Sequence, residues 1–322
     1  MKKEGIGGFL EIELRKESSF HPDALALNSC RNALRFLVEK RKAKRVYIAY
    51  YTCDAVYEAL TQLPVEILFY QLDEELLPLN LPSTLEPDTL LLYTHYWGLC
   101  EKQIELLLKQ YGESVVIDAA QAFFYRPLQG INAINSCRKF FGVPDGGYLY
   151  GNFSPDELEE DFSYKRCAHV LKRFECGPES AYPLYQKAES VMDDLAVGRM
   201  SKLTTALLGG VDYAQVIQQR RANFSYLHGA LGEHNLLDLD ASYTSHSVPM
   251  VYPYKCKNRA LREQLLGEKI YVATYWPNVL EWCDAKSREY ELAVEVIPLP
   301  IDQRYGEAEM DKIIKTIINS QK

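Results

Sequence analysis

Asp118 and Lys139 are the residues of this 322-residue chain whose types and setting point most directly to chemistry. Asp118 ends the apolar run Val115-Val116-Ile117. Lys139 lies in Ser136-Cys137-Arg138-Lys139-Phe140-Phe141-Gly142-Val143-Pro144-Asp145-Gly146-Gly147. A short β-branched run bounded by a turn reads as a buried strand of a parallel sheet. Ligands collect at the carboxyl ends of such strands. An acid that keeps a ring nitrogen protonated and an amine that forms an imine are the two protein groups that pyridoxal phosphate chemistry needs. Two phenylalanines and a tight turn follow Lys139, so its amine is expected to be partly desolvated beside Arg138 and a better nucleophile for it. Each residue also has an ordinary use, the lysine as a solvated loop cation and the acid as a helix cap or turn residue.

Other candidates surround this pair. Gln121, three residues after Asp118, is placed to reach a ring substituent or to serve as a loop amide. His95 ends an apolar run and is either an acid–base or ring-stacking group, or a satisfied structural histidine. Asn28 or Ser29 is a plausible cap for a helix through Arg31–Val38, and the free amides of such a helix start suit a phosphate. Cys30 and Cys53 read as small buried residues rather than nucleophiles, since no cysteine–histidine pairing is visible.

Elements that would position these groups follow the chain in order. Gly7–Leu14 alternates apolar and acidic residues, as a half-exposed strand or arm does. Strands are expected at 45–51, 65–70, 90–94 and 115–118, with helices at 55–62 and around Leu106–Leu108. Short strands at Ser136-Cys137 and Gly147–Tyr150 flank the lysine turn. This rhythm argues for βαβ units and a mainly parallel sheet. From 154 to 182 the texture is charged and helical. A long helical stretch then runs from Gly198 to about Leu231, with Gly209-Gly210 as a break point. Beyond it, strands are expected at 248–252, 270–273 and 294–299, and helices at 259–266 and 307–318.

Composition narrows the class. Hydrophobic and charged fractions of 47% and 25% are those of a globular protein. A net charge of −8 without a basic stripe argues against nucleic-acid or anionic-membrane partners. The eight cysteines are scattered without metal-ligand spacing, so no metal is expected and reduced thiols in the cytoplasm are the natural reading. Met1–Gly5 leads into no sustained apolar segment, so no signal peptide is expected.

In this order the motifs resemble those of the fold type I pyridoxal phosphate enzymes, and among them the DegT-like sugar aminotransferases. The family's Ser-Gly-Thr-x-Ala-Leu phosphate turn is matched by Ser29-Cys30-Arg31-Asn32-Ala33-Leu34, and its Tyr-Thr segment by Tyr51-Thr52. His95-Tyr96-Trp97-Gly98 fits its His-x-x-Gly, and Asp118-Ala119-Ala120-Gln121 its Asp-x-x-Gln. Lys139 stands seven residues before Gly146-Gly147, as the family's lysine stands before its Gly-Gly pair. Arg199-Met200-Ser201 resembles the Arg-Met-Ser before the family's long helix, and Ile297-Pro298-Leu299-Pro300 the strand before its closing helix. The resemblance spans nearly the whole chain.

What it implies is an α/β fold with a large cofactor-binding domain (1–205) and a smaller C-terminal α+β domain (206–322) led by an interdomain helix. Lys139 would carry the imine, Asp118 would pair with the pyridinium, and Gln121 would lie near the ring hydroxyl. Cys30 and Arg31, with Ser29 and Ser136, would hold the phosphate of pyridoxal 5′-phosphate, and Tyr51 and His95 would contact the cofactor. Glutamate would be the amino donor and a keto sugar, nucleotide-linked and destined for polysaccharide or glycoconjugate precursors, the acceptor. Lys139 would shuttle the proton in a cytoplasmic homodimer. Tyr275, Trp276 and Arg304 are candidates for the substrate pocket, with exposed loop residues as the alternative.

The departures from the family are specific. Cys53 replaces an aromatic that often stacks on the ring, Val197 replaces an asparagine that reaches the neighbouring subunit's phosphate, and Ser136 is only three residues before Lys139. They keep a second reading open: another reaction on a sugar with the same cofactor, or a relative that binds the cofactor without turnover.

Overall fold

Runs of β-branched and aromatic residues alternate with amphipathic stretches, and the chain folds as strand and helix in turn. The computed structural model describes residues 6–14, 18–154 and 158–320. The expectation about a signal peptide rested on Met1–Gly5, which lie outside the described residues. In chain order the elements are β1 (Leu25–Leu27), α1 (Cys30–Arg41), β2 (Arg45–Ala49), α2 (Asp54–Thr61), β3 (Glu66–Leu72), β4 (Pro78–Leu79), β5 (Thr89–Thr94) and α3 (Glu101–Tyr111). There follow β6 (Val115–Ala119), β7 (Asn132–Ser136), β8 (Gly147–Tyr150), α4 (Ala168–Cys176), α5 (Pro178–Met192), α6 (Lys202–Gly209) and α7 (Tyr213–Leu231). The chain ends through β9 (Val251–Lys255), α8 (Leu261–Gly267), α9 (Val279–Trp282), α10 (Arg288–Glu295), β10 (Val296–Pro300) and α11 (Glu307–Asn319).

Eight strands form one sheet in the order β1-β8-β7-β6-β5-β2-β3-β4. Strands β2, β3, β5, β6 and β7 run parallel, whereas β8 is antiparallel to both β7 and β1. Every residue of β5, β6 and β7 is buried, because helices cover both faces of a parallel sheet. On one face α1 and α2 bring Leu34, Leu37, Ala59 and Leu60 against Ile48, Leu92, Val116 and Ile134. On the other, Tyr93 and Ile117 share a core with Leu107 of α3, Phe224 of α7 and Ile313 of α11. The antiparallel pair β9–β10 joins that core through Tyr252, Tyr254 and Leu299. The α/β class and the mainly parallel sheet are those expected from the sequence. Among the described residues no helix is long and apolar enough to cross a membrane.

Local chemistry explains the boundaries. The Ser29 hydroxyl accepts from the Asn32 amide at 3.0 Å and starts α1. The long helical stretch divides where glycines weaken it: α6 ends at Gly209, and the Asp212 carboxylate restarts α7 by accepting from the Gln215 amide at 3.0 Å. One expected strand, at 270–273, is absent, and of the two readings of Gly7–Leu14 it is the arm that forms. Residues 270–273 do not pair, because the Lys269 and Ile270 amides are spent closing α8, on Leu266 and Leu265 carbonyls at 2.9 and 2.8 Å. Gly7–Leu14 has no strand beside it and lies irregular and exposed. The strand expected at 248–252 sits three residues later, where it pairs with β10.

One backbone approach organises the site end of the sheet. A Cβ on Gly147 would lie 2.5 Å from the Cys30 nitrogen and 2.7 Å from the Ser29 carbonyl carbon. The adjacent Gly146 has φ +111°, which side chains disfavour, and its amide donates to the Asn28 carbonyl at 2.8 Å. Gly147→Ala is therefore expected to destabilise the protein by about 1–3 kcal/mol through overpacking. Gly229→Ala, in α7 with nothing within 4 Å of its would-be Cβ, should shift stability by no more than about 1 kcal/mol, in the stabilising direction. Denaturant unfolding of both variants decides it, and equal midpoints would contradict the steric account.

Candidate functional site

The parallel strands end on the side where α1 begins, and the segments after them form one cavity of about 810 Å³. Cys53 after β2, Asp118 in β6, Ser136 at the end of β7, Lys139 beyond it, and Ser29, Cys30 and Arg31 at the start of α1 line it. This is the size of site that holds a cofactor with a small substrate.

The lysine turn is fixed by its backbone. The Phe140 and Phe141 amides both donate to the Cys137 carbonyl, at 3.1 and 3.0 Å, and the Cys137 amide donates to the Gly146 carbonyl. Beneath it Asp145, fully buried, accepts from the Ser201 amide at 3.0 Å and from the hydroxyls of Ser201 and Thr204. Asp145 thereby ties the turn to the start of α6. Lys139 is exposed to the cavity, and its amine has no hydrogen-bond or ion-pair partner among the described residues.

Asp118 is 5% exposed, and its Oδ1 accepts from the Ala120 amide at 2.9 Å. Burial raises its carboxyl above the ordinary value, opposed by the positive charge of Lys139 and by the Ala120 N–H. Burial also pushes the Cys53 thiol up to about 11 and the Cys30 thiol well above its ordinary range. Both stay protonated, so neither serves as a nucleophile.

The corner where α1 starts is suited to an anion. Its first turn carries no acid, and the close passage of Gly147 leaves no side chain over the Ser29–Cys30 backbone. A helix start of this kind attracts phosphate. The guanidinium of Arg31 itself is ion-paired with Asp193, so it is the backbone there that is free to meet a ligand.

Several expected site residues lie elsewhere. His95 is buried outside the cavity lining; its Nδ1 accepts from the Cys100 amide at 3.1 Å, and its ring meets Tyr125 edge-on at 5.1 Å. Burial lowers it to about 3, so it is neutral and structural. Tyr51 is buried between Tyr96 and Trp276, with ring centroids at 5.4 and 5.0 Å, and contributes packing rather than a cavity wall. That same cluster consumes Trp276, on which Tyr275 stacks at 5.6 Å, so the two expected substrate contacts are part of the core. Gln121 also lies outside the lining. Its Oε1 accepts from the Trp97 amide at 2.7 Å, and its Nε2 is buried without a partner. Arg304 does line the cavity, but it grips its neighbour Asp302 with Nε–Oδ1 at 2.6 Å and Nη2–Oδ2 at 2.9 Å.

Other lining residues gave no local signal in the sequence. His169, Arg173 and Phe174 of α4 and Tyr185 and Glu189 of α5 form one wall, where Glu189 pairs with Arg138. Arg220 of α7 forms another together with Gln303, which does belong to the run 302–305 that the sequence offers as shaping the pocket. For the first wall the charged texture of 154–182 was the one available hint.

The fold is that of the sugar aminotransferases of the DegT, DnrJ, EryC1 and StrS group. A DegT DnrJ EryC1 StrS aminotransferase from Brucella abortus matches with a TM-score of 0.62 at 17% identity, over 92% of this chain and 85% of that one. PseC of Helicobacter pylori, an aminotransferase involved in the biosynthesis of pseudoaminic acid, matches with a TM-score of 0.63 at 14% identity, over 92% and 86%. DesV of S. venezuelae matches with 0.61 at 17%, over 93% and 85%. No family model matches the sequence, and no curated protein matches it. At such identities the likeness establishes the fold.

Asp118 gives a testable sign. Its folded-state value is raised above 3.8, so the folded protein holds that proton longer than the unfolded chain. Stability from this residue is therefore lost as pH rises through the raised value. Asp118→Asn removes the effect, and its stability relative to wild type should improve from pH 4 to pH 8 in denaturant melts without added cofactor. A variant that loses ground as pH rises would contradict the burial account.

Proposed function

We propose that this chain is a pyridoxal 5′-phosphate-dependent aminotransferase that transfers an amino group from glutamate to a nucleotide-linked keto sugar. The product would feed polysaccharide or glycoconjugate precursor synthesis, and the enzyme would work in the cytoplasm as a homodimer. The observation that carries the reading is the convergence, in one cavity, of an unpartnered lysine, a buried carboxylate and an acid-free helix start. The similarity in fold to proteins described as sugar aminotransferases supports the substrate class.

These residues fit the cofactor. Ser29, Cys30, Arg31 and Ser136 all line the cavity, where the acid-free start of α1 would offer a phosphate its backbone amides, with the hydroxyls of Ser29 and Ser136 beside them. When bound, the cofactor supplies an electron sink for breaking a C–H bond next to nitrogen. Asp118 would keep a proton on the ring nitrogen. A buried carboxylate is disfavoured alone, and a cationic ring N–H against it restores its charged form. Lys139 would hold the cofactor through Nζ, and its amine would be the group that takes up and returns a proton beside the amino donor's α-carbon. The α4–α5 wall bounds one side of the cavity, and Arg138, fixed by Glu189, frames the substrate space.

A divergent relative that binds the cofactor without turnover has one observation in its favour: Cys53, not an aromatic ring, lines the cavity after β2. Absorbance separates the readings. The aminotransferase is expected to turn yellow with pyridoxal phosphate and to bleach when glutamate is added. Lys139→Ala should reduce turnover on the order of 10³-fold. A protein that turns yellow but never bleaches with glutamate supports the divergent relative, and one that takes up no cofactor refutes both.

A further inference from the structure

Phe140, the residue after Lys139, is held at its ring and at its carbonyl by residues of the C-terminal half. Arg220, 1% exposed, lies over the Phe140 ring with its guanidinium carbon 4.4 Å from the ring centroid. Its Nε donates to Gln303 Oε1 at 3.0 Å, and its Nη1 donates to the Pro249 and Met250 carbonyls at 3.3 and 3.0 Å. Gln303 completes the circuit, since its Nε2 donates to the Phe140 carbonyl at 2.9 Å. Arg220 has no carboxylate in an ion pair with it among the described residues, although the chain buries it almost completely. Its direct partners are neutral acceptors and an aromatic face, with the Asp302 charge nearby, and two of them, the Phe140 ring and Gln303, converge on the residue beside the lysine.

We infer that Arg220 and Gln303 are positioning residues, a clamp on the ring and carbonyl of Phe140 that aims the Lys139 amine into the cavity. The clamp reaches from α7 and from the loop between β10 and α11, so the C-terminal half sets the geometry of an amine carried by the N-terminal half. This role rests on the reading of Lys139 as the amine that takes the cofactor.

Gln303 separates the two halves of the clamp. Gln303→Glu keeps an acceptor for Arg220 but, as a carboxylate, cannot donate to the Phe140 carbonyl. Gln303→Leu removes both contacts, and Arg220→Lys keeps the charge without the planar fork. Two readouts are taken on wild type and variants. The first is hydrogen exchange of the amides of 139–142 without cofactor. The second is borohydride trapping of added pyridoxal phosphate on Lys139, quantified by peptide mass spectrometry against an exposed lysine, Lys44, in the same sample. Both Gln303 variants should exchange faster at 139–142 and trap on Lys139 on the order of tenfold more slowly, since small misplacements of a reacting group are costly. Lys44 labelling should hold, and Arg220→Lys should fall between. Unchanged exchange and trapping in both Gln303 variants would overturn the clamp. If wild type never traps on Lys139, the cofactor reading fails instead, and exchange alone decides whether the clamp holds its peptide.

Discussion

Everything at the site depends on one place where two backbones touch. Gly147 passes so close to Ser29 and Cys30 that no side chain fits between them. That approach brings the lysine turn onto the start of α1, and so puts an amine and a set of free amides on the same cavity. The register follows from it: Gly147 pairs with Leu27 in β1 and with Ser136 in β7. The antiparallel β8 is thus the strand that lets a parallel sheet present its two ligand-facing corners together. Asp145 then anchors the far side of the turn to α6, so the loop is held at both ends while Lys139 stays free.

Electrostatics around that contact are arranged by compensation. Arg31, Arg138 and Arg304 each face the cavity with an acid of the same chain already against them, Asp193, Glu189 and Asp302 respectively. Lys139 has none. In a chain of net charge −8 this leaves the cavity with a small number of uncommitted charges, among them the buried Asp118, whose carboxyl burial raises. A desolvated acid and an unpaired amine in one cleft form a pair whose protonation an incoming ring can reset.

Much of this was legible in the sequence because it is local. The Ser29 cap, the Asp118 strand end and the lysine turn each depend on a few neighbouring residues, and each lies where the pattern placed it. His95 and Tyr51 were misplaced for the opposite reason. Both follow a strand as expected, yet the direction of a side chain there is set by what packs against it: Tyr96 and Trp276 take up Tyr51, and Tyr125 with the Cys100 amide takes up His95. The wall made by α4 and α5 was invisible because amphipathic helices of this kind fit many surfaces. Arg220 and Gln303, 83 residues apart in sequence, meet only in the fold. The three-residue β1 is too short to carry a pattern, and residues 270–273 have strand composition without a partner strand.

The central claim is that Lys139, Asp118 and the start of α1 together hold one pyridoxal phosphate. The most direct measurement is a crystal structure of the protein grown with that cofactor. The account predicts density continuous from Lys139 Nζ into the ring, the Asp118 carboxylate at hydrogen-bond distance from the ring nitrogen, and the phosphate against the Cys30 and Arg31 amides. A ring attached to another lysine, or a cavity that stays free of cofactor while Lys139 remains an unmodified amine, would contradict it.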